Sequence, residues 1–580
     1  MSDKSDQASV ILASAVNWKF PAFSEESGID KVVAFGDSSH KCPVYVQSLP
    51  PCTVGCPAGN DIRTWLTTVQ LSELKGRSRE ESFELAWHEA SKTTPFPAVC
   101  GRVCPYPCET ACNRIEKVDG AVNIHAFERW IGDYGIEHGL KHRRLSQVIR
   151  DKKVAVIGAG PAGLSCAFQL ARHGYPVTVF EAFAETGGML RYGIPAYKLP
   201  RAVLDAEVAA ISEMGVEIIC NTIIGNDRGL DALQDEFDAL FIGIGAHREL
   251  RLGLEGEEAY NVISGVRFLN MIHFGTMVEL GNKVVIIGGG DSSISAARVA
   301  RRLGAEVTIL YRRSRAEMPA IKQEIEAALA EDIEIQFLVA PVAIEVRDGR
   351  AISVECRKME LGEPDESGRR RPIPIAGSTF REQCTTLIPA IGQRPRWRDA
   401  KRYVDDTNQL KPNEDMAVDD GVYVGGDTLS LGLVTTAIGE GRKAAERMIA
   451  RMEGEKISIQ EVVPIVGPEK MRLDYYGKKV RNRGSYLPES QRLTGGLELE
   501  LNAGMSKEQF LAEADRCMSC GLCFECRQCL IFCPQEAIVE YPQNSIGEAM
   551  YTKYNKCVGC HICAQACPCG FIQMGMGDVL

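Results

Sequence analysis

Twenty-two cysteines punctuate a 580-residue sequence, and most of them fall in tight CxxC and CxxxC groups near its two ends. Near the C-terminus, "CVGCHICAQACP" places Cys557, Cys560, Cys563 and Cys567 directly before Pro568. This is the C-x2-C-x2-C-x3-C-P spacing with which bacterial ferredoxins hold [4Fe-4S] clusters. The same spacing laid on "CMSCGLCFECRQCLIFCP", with Pro534 as anchor, selects Cys523, Cys526, Cys529 and Cys533. In two-cluster ferredoxins the fourth cysteine of each run serves the other cluster. The expected ligand sets are therefore Cys523, Cys526, Cys529 and Cys567, and Cys557, Cys560, Cys563 and Cys533. Cys517, Cys520 and Cys569 are left over and read as non-ligands. Zinc fits less well, because three CxxC steps closing on Cys-Pro suit cubane clusters better than separated zinc pairs.

A second group lies near the N-terminus: Cys52 and Cys56, then Cys100, Cys104, Cys108 and Cys112 in "CGRVCPYPCETAC". Cys166, Cys220, Cys356 and Cys384 stand alone and read as small buried apolar residues. No histidines sit in a metal-spaced pair, and no side chain is singled out as catalytic.

Two glycine-rich turns must position the remaining chemistry. In "KVAVIGAGPAGLSCAFQLARHGYPVTVFEA" a buried strand (Val154–Ile157) runs into Gly158, Gly160 and Gly163, with Pro161 and Ala162 between, and on into a helix. The glycines let the backbone approach a pyrophosphate seated on the helix N-terminus. Glu181, 23 residues after Gly158, ends the next strand where a carboxylate accepts hydrogen bonds from a ribose. The second turn, "NKVVIIGGGDSSISAARVARRLGAEVTILYRRSRAEMPA", opens with Gly288, Gly289 and Gly290, followed by Asp291 and Ser292, and Ser293 replaces the third glycine. The same 23-residue count lands on Tyr311, with Arg312 and Arg313 following. Two guanidiniums and no carboxylate favour a 2′-phosphate, hence NADP(H) over NAD(H).

Two further stretches, "GGMLRYGIPAYKLPR" (187–201) and "GVYVGGDTLSLGLVTTAIGEGRKAA" (421–445), resemble flavin-contacting segments of the glutamate synthase small subunit family, a resemblance covering residues from about 40 to 455. It implies a split FAD domain with a pyridine-nucleotide domain inserted in it. It implies flavin contacts at Gly188, Leu190, Gly245, Gly426, Asp427, Thr436 and Ala437. It also implies two N-terminal [4Fe-4S] clusters, as in the related dihydropyrimidine dehydrogenase. Relatives carry two more cysteines just before the equivalent of Cys52, where this chain has "PVYVQSLPP". One cluster is expected on Cys56, Cys104, Cys108 and a fourth ligand. In dihydropyrimidine dehydrogenase that ligand is a glutamine sixteen residues after the last cysteine, an offset that gives Glu128 here. Cys52 and Cys112 remain for a second cluster, with Cys42 or Cys100 as candidate partners.

The expected fold is multidomain α/β: a helical iron–sulfur domain (1–150), an FAD domain (151–265 and 390–455), an inserted NAD(P) domain (266–389), a connector (456–512) and an α+β ferredoxin domain (513–580). A net charge of −11 disfavours nucleic acid as main partner. The basic runs at 141–144, 368–371 and 478–483 read as solvated faces, or as docking sites for an acidic redox partner. No apolar stretch approaches the ~20 residues of a membrane span, the apolar run within residues 1–20 reads as too short for a signal peptide, and clustered rather than dispersed cysteines favour the cytoplasm.

The parts assemble into a wire from NAD(P)H through FAD and [4Fe-4S] clusters to a low-potential redox partner, in a homodimer or a hetero-oligomeric complex. The partner expected first is a 2-oxoacid:ferredoxin-type oxidoreductase. The alternatives are dissimilatory sulfite reductase, or free ferredoxin with this chain as a stand-alone NADPH:ferredoxin oxidoreductase. A redox sensor or scaffold is the reading from another class.

Overall fold

The computed structural model describes residues 39–541 and 550–575, apart from 118, 367, 407–408 and 456–462. At the N-terminal end, helices Ile62–Gln70, Arg79–Ala90, Pro97–Val103 and Ile124–Glu137 pack together. Their starts follow local chemistry. The Asp61 side chain accepts the Thr64 N–H, Ser78 and Glu81 form a capping box, and Pro97 opens its helix, where its missing N–H costs nothing. Helices 97–103 and 124–137 cross with backbones almost touching. A Cβ at Gly132 would lie 2.2 Å from the Ala98 nitrogen, and one at Gly101 would lie 2.2 Å from the Arg129 nitrogen. That close crossing brings Cys100 and Cys104 beside Glu128.

A six-stranded sheet forms the centre, in the order 417–419, 422–424, 239–242, 154–157, 177–180 and 217–219; all pairings are parallel except that of the first two strands. Strands from both sides of the intervening 283–389 region join this one sheet. The intervening region carries a parallel sheet of its own, Thr386–Pro389, Lys283–Ile287, Glu306–Tyr311 and Glu334–Phe337, and a three-stranded antiparallel sheet over 339–383. Strands 154–157, 239–242 and 386–389 are fully buried, as parallel strands covered on both faces must be. Helix Val434–Glu453 lies along helix Pro161–Arg172, where Gly441 lets the Ala162 carbonyl approach (2.0 Å to a Cβ built there) and the Ser165 hydroxyl donates to the Ile438 carbonyl at 2.8 Å.

The C-terminal cysteine-rich module pairs Ile538–Glu540 with Met550–Thr552, and its last strand, Ile572–Gly575, pairs antiparallel with Cys42–Tyr45. Two widely separated parts of the chain are thus joined in one sheet. Helix Lys507–Ala514, which precedes this module, packs on the N-terminal helices instead. Phe510 stacks on Phe127 and Trp130 at ring-centroid separations of 4.3 and 3.8 Å. The multidomain α/β class expected from the sequence, with helical and ferredoxin-like ends, is the class observed.

Candidate functional site

A deep cleft opens at the carboxyl ends of the six-stranded sheet, where open α/β sheets bind ligands. It is lined by Gly158, Gly160, Pro161, Ala162, Glu181, Gly188, Gly245, Gly426, Asp427 and Ala437. Gly163 sits behind it, where a Cβ would fall 1.9 Å from the Gly158 carbonyl, so the turn can close only on glycine. Leu190 is buried in the core next to the cleft, and Thr436, a neighbour of Ala437 on helix 434–453, is not among the lining residues. The Glu181 carboxylate accepts N–H bonds from Ala159 (2.7 Å) and Phe183 (2.9 Å), which fix it at the strand end; burial nonetheless pushes its pKa up. The cleft fits a flavin dinucleotide on an observation of its own. Nδ1 of His247 and Oδ1 of Asn270 line it, buried and without a hydrogen-bond partner among the described residues. Arg396 and Arg398 also line it and belong to no fingerprint, so only the fold places them there.

The second turn has the matching shape for a second dinucleotide. Gly288 is left-handed (φ 139°), a Cβ at Gly289 would strike the Tyr311 ring at 2.4 Å, and Gly290 opens onto free space at the start of helix Asp291–Arg302. Asp291 accepts the Ile321 N–H at 3.0 Å, and Ser292 lies in the first turn. The two arginines expected to share a 2′-phosphate part company here. Arg313 is buried, ion-paired to Asp365 and donating to the Arg370 carbonyl, whereas Arg312 is exposed.

Cys533 lines a small cavity with Cys557, Cys560 and Cys563, and Cys523, Cys526, Cys529 and Cys567 line another. Cys569 lies beside Cys567, at 3.8 Å between sulfurs. Among the described residues no three His, Cys, Asp or Glu side chains converge as tightly as a single metal ion needs. The thiols stand back around small cavities, as ligands at the corners of a cubane do.

In the N-terminal domain Glu128 lies among Cys56, Cys104 and Cys108, and its Oε1 accepts from Asn60 Nδ2 at 3.4 Å. Burial, with Glu207 nearby, pushes its carboxyl well above the usual range. The Cys104 thiol receives the Tyr106 N–H at 3.3 Å and lies 3.8 Å from the Thr435 hydroxyl, on the helix that carries Ala437 into the cleft. Neither partner considered for Cys52 and Cys112 joins them. Cys100 faces Cys104 and Glu128, and Cys42 neighbours Cys557. The thiols that do join them are Cys517 and Cys520, around a small cavity. A count alone hints at this: two ligands are missing at one end of the chain, and a CxxC pair is surplus at the other.

Residues 152–441 match the pyridine nucleotide-disulphide oxidoreductase model, residues 38–140 that of the dihydropyrimidine dehydrogenase domain II 4Fe-4S cluster, and residues 550–573 a 4Fe-4S binding domain. The chain is 36% identical over 514 residues to the NADPH-Fe(3+) oxidoreductase subunit beta of Geobacter sulfurreducens, covering 81% of this chain and 75% of that protein. It is 36% identical over 513 residues to the NADP(+)-dependent formate dehydrogenase subunit beta of Moorella thermoacetica (81% and 70% covered). It is 37% identical over 429 residues to the Escherichia coli glutamate synthase [NADPH] small chain (70% and 89% covered). Fold and site together define an oxidoreductase built on FAD, NADP(H) and [4Fe-4S] clusters. The chain belongs to the pyridine nucleotide-disulphide oxidoreductase family, among the glutamate synthase small chain-like members with iron–sulfur domains.

Proposed function

We propose that this chain is the flavin subunit of an electron-transfer complex, linking NADP(H) to a low-potential redox protein through its iron–sulfur sites. A 2-oxoacid:ferredoxin-type oxidoreductase is the first partner to test. The observation that carries the reading is contiguity: the helix that brings Ala437 to the flavin cleft places Thr435 against Cys104, and its Gly439 packs on Pro57 next to Cys56. When bound, FAD exchanges electron pairs with a nicotinamide and single electrons with clusters.

The residues of this chain supply position and electrostatics. Gly158, Gly160 and the N-terminus of helix 161–172 receive the flavin pyrophosphate, Glu181 its ribose, and Asp427 its ribityl end. Gly288 to Gly290 with Ser292 receive the pyrophosphate of NADP(H), and Arg312 its 2′-phosphate. Glu128 completes the set of Cys56, Cys104 and Cys108. The two tail sets, Cys523, Cys526, Cys529 and Cys567 and Cys533, Cys557, Cys560 and Cys563, lie in a module that exposes Ile531, Tyr541, Tyr551, Tyr554 and Val558. Exposed aromatic and aliphatic side chains around an electron exit suit docking of another protein. Relatives named as subunits of larger enzymes support a partner of that kind.

Anaerobic affinity capture from the native cells, with mass spectrometry of bound protein, tests this. A thiamine-dependent 2-oxoacid oxidoreductase in stoichiometric amount is the expected result. A sirohaem sulfite reductase in its place would transfer the reading to that partner. Loosely held ferredoxin alone would contradict the subunit role and favour a stand-alone NADPH:ferredoxin oxidoreductase.

A further inference from the structure

We propose that Cys52, Cys112, Cys517 and Cys520 hold a further [4Fe-4S] cluster, assembled from two ends of the chain and lying between the flavin-side cluster site and the two tail sites. Four thiols line one small cavity, as four line each of the two tail cavities. All four cysteines are free of disulfides. The turn at Cys517 repeats a feature of the other cluster sites. Its thiol accepts the N–H of Ser519, two residues on, at 3.4 Å, as Cys104 accepts that of Tyr106, Cys526 that of Gln528 and Cys560 that of Ile562. N–H bonds onto ligand sulfurs are a means by which proteins set cluster potential.

The surroundings suit an anionic group. Arg63 and Arg114 line the cavity. Nη1 of Arg63 donates to the carbonyls of Ser48 (2.7 Å) and Cys520 (2.8 Å), while its Nε is buried with no partner among the described residues. A cluster sulfide is a fitting acceptor for that orphan donor.

The tail segment is locked where the site needs it. Arg516 and Glu513, both wholly buried, form an ion pair. Arg516 also donates to the carbonyls of Asp119, Gly120 and Ala121, and Arg114 donates to the Arg516 carbonyl at 2.7 Å. Glu513 accepts the N–H groups of Asn123 (2.7 Å) and Asn482 (3.0 Å). A buried paired network of this kind holds its members in one arrangement. Cys517 and Cys520 therefore face Cys52 and Cys112 by construction of the fold.

The site also closes the path. Cys112 follows Cys108 by four residues, and Cys520 precedes Cys523 by three. Tyr476 lies close to Cys520 and also to Cys526, Cys567 and Cys569.

Iron and acid-labile sulfide are to be counted on the anaerobically reconstituted full-length chain, on the C52A/C112A and C517A/C520A variants, and on the quadruple variant. With four Fe per cubane, about sixteen irons are expected in the parent and about twelve in each of the three variants. The same electron paramagnetic resonance signal should vanish from all of them while FAD content is kept. A parent with about twelve irons, a C517A/C520A variant with the parental count, or a quadruple variant that loses twice what either double loses would overturn the assignment. Should the variants fail to fold, alkylation of the unmodified chain decides. Cys517 and Cys520 protected until iron is chelated support the site, and equal labelling before and after chelation refutes it. The readout is iron rather than partner, so it stands apart from the electron-transfer reading above.

Discussion

At the scale of single residues, Arg312 and Arg313 show how far adjacent like residues can diverge. The strand Glu306–Tyr311 ends just before them, and alternation sends Arg313 inward to Asp365 and Arg312 outward. Arg312→Ala should raise KM for NADPH about tenfold, the effect of one lost charge-assisted hydrogen bond, and leave KM for NADH unchanged. Steady-state kinetics with both nucleotides check this. Arg313→Ala should act through stability instead, since it removes a buried guanidinium and its ion pair with Asp365. Glu128→Ala should change the electron paramagnetic resonance spectrum of one cluster and lower the iron count, whereas an unchanged spectrum would return Glu128 to the role of a buried helix carboxyl.

Residue spacing reaches some of these sites and not others, for a physical reason. The tail sets were legible because three ligands of each lie in one short run closed by Pro534 or Pro568, and the fourth is the last cysteine of the other run. Glu128 was reachable only through a resemblance, since one carboxyl on a helix carries no spacing signal. Cys517 and Cys520 were set aside because their partners, Cys52 and Cys112, sit at the other end of the chain. What joins them is the burial of Arg516 and Glu513, and a charged pair in sequence reads as solvated surface until the fold buries it.

At the scale of elements, the sites depend on close helix crossings and paired buried charges. Gly132→Ala would drive a Cβ to 2.2 Å from the Ala98 backbone and should cost about 1–3 kcal/mol. It should also loosen the Cys104 and Glu128 side of its site, visible as a lower melting temperature with lower iron content. In the nucleotide domain Arg298 is buried between Glu331 and Glu324, with Arg302 also on Glu331 and Lys198 on Glu324. Glu331→Ala should destabilise by about 3–5 kcal/mol, because it leaves the buried Arg302 guanidinium without its carboxylate and Arg298 with Glu324 alone.

Burial alone would raise the Glu324 carboxyl, but Lys198 and Arg298 outweigh it and hold the pKa at about 2. The unfolded value is ~4.3. The folded pKa is the depressed one, so the stability it contributes is complete above ~4.3 and is lost as pH falls toward about 2. Melting curves across that window should show a shallower acid loss for Glu324→Gln than for the parent. The two parallel sheets were legible from buried strands followed by glycine turns, with periodicity to match. The pairing of strand Cys42–Tyr45 with Ile572–Gly575 was not, since two four-residue strands so far apart in sequence have no local mark.

At the scale of the molecule, the sheet shared by residues 42–45 and 572–575 and the docked segment 507–520 join the N-terminal helices to the tail module at two places. Helix 434–453 links the flavin cleft to the Cys56 set through Thr435 and Cys104, Cys52 and Cys112 lie four residues from Cys56 and Cys108, and Tyr476 lies close to both Cys520 and Cys526. No helix among the described residues is long and apolar enough to cross a membrane.

The central claim is that these sites form one electron path between NADP(H) and the tail. The measurement that tests it most directly is a count of electrons delivered to NADP+. The chain is reduced fully with dithionite, freed of excess reductant under anaerobic conditions, and mixed with excess NADP+. FAD releases two electrons and each cluster one, so a path through four clusters yields about three NADPH per chain. A yield of about one NADPH, with the clusters still reduced, would show the flavin isolated from them and contradict the account.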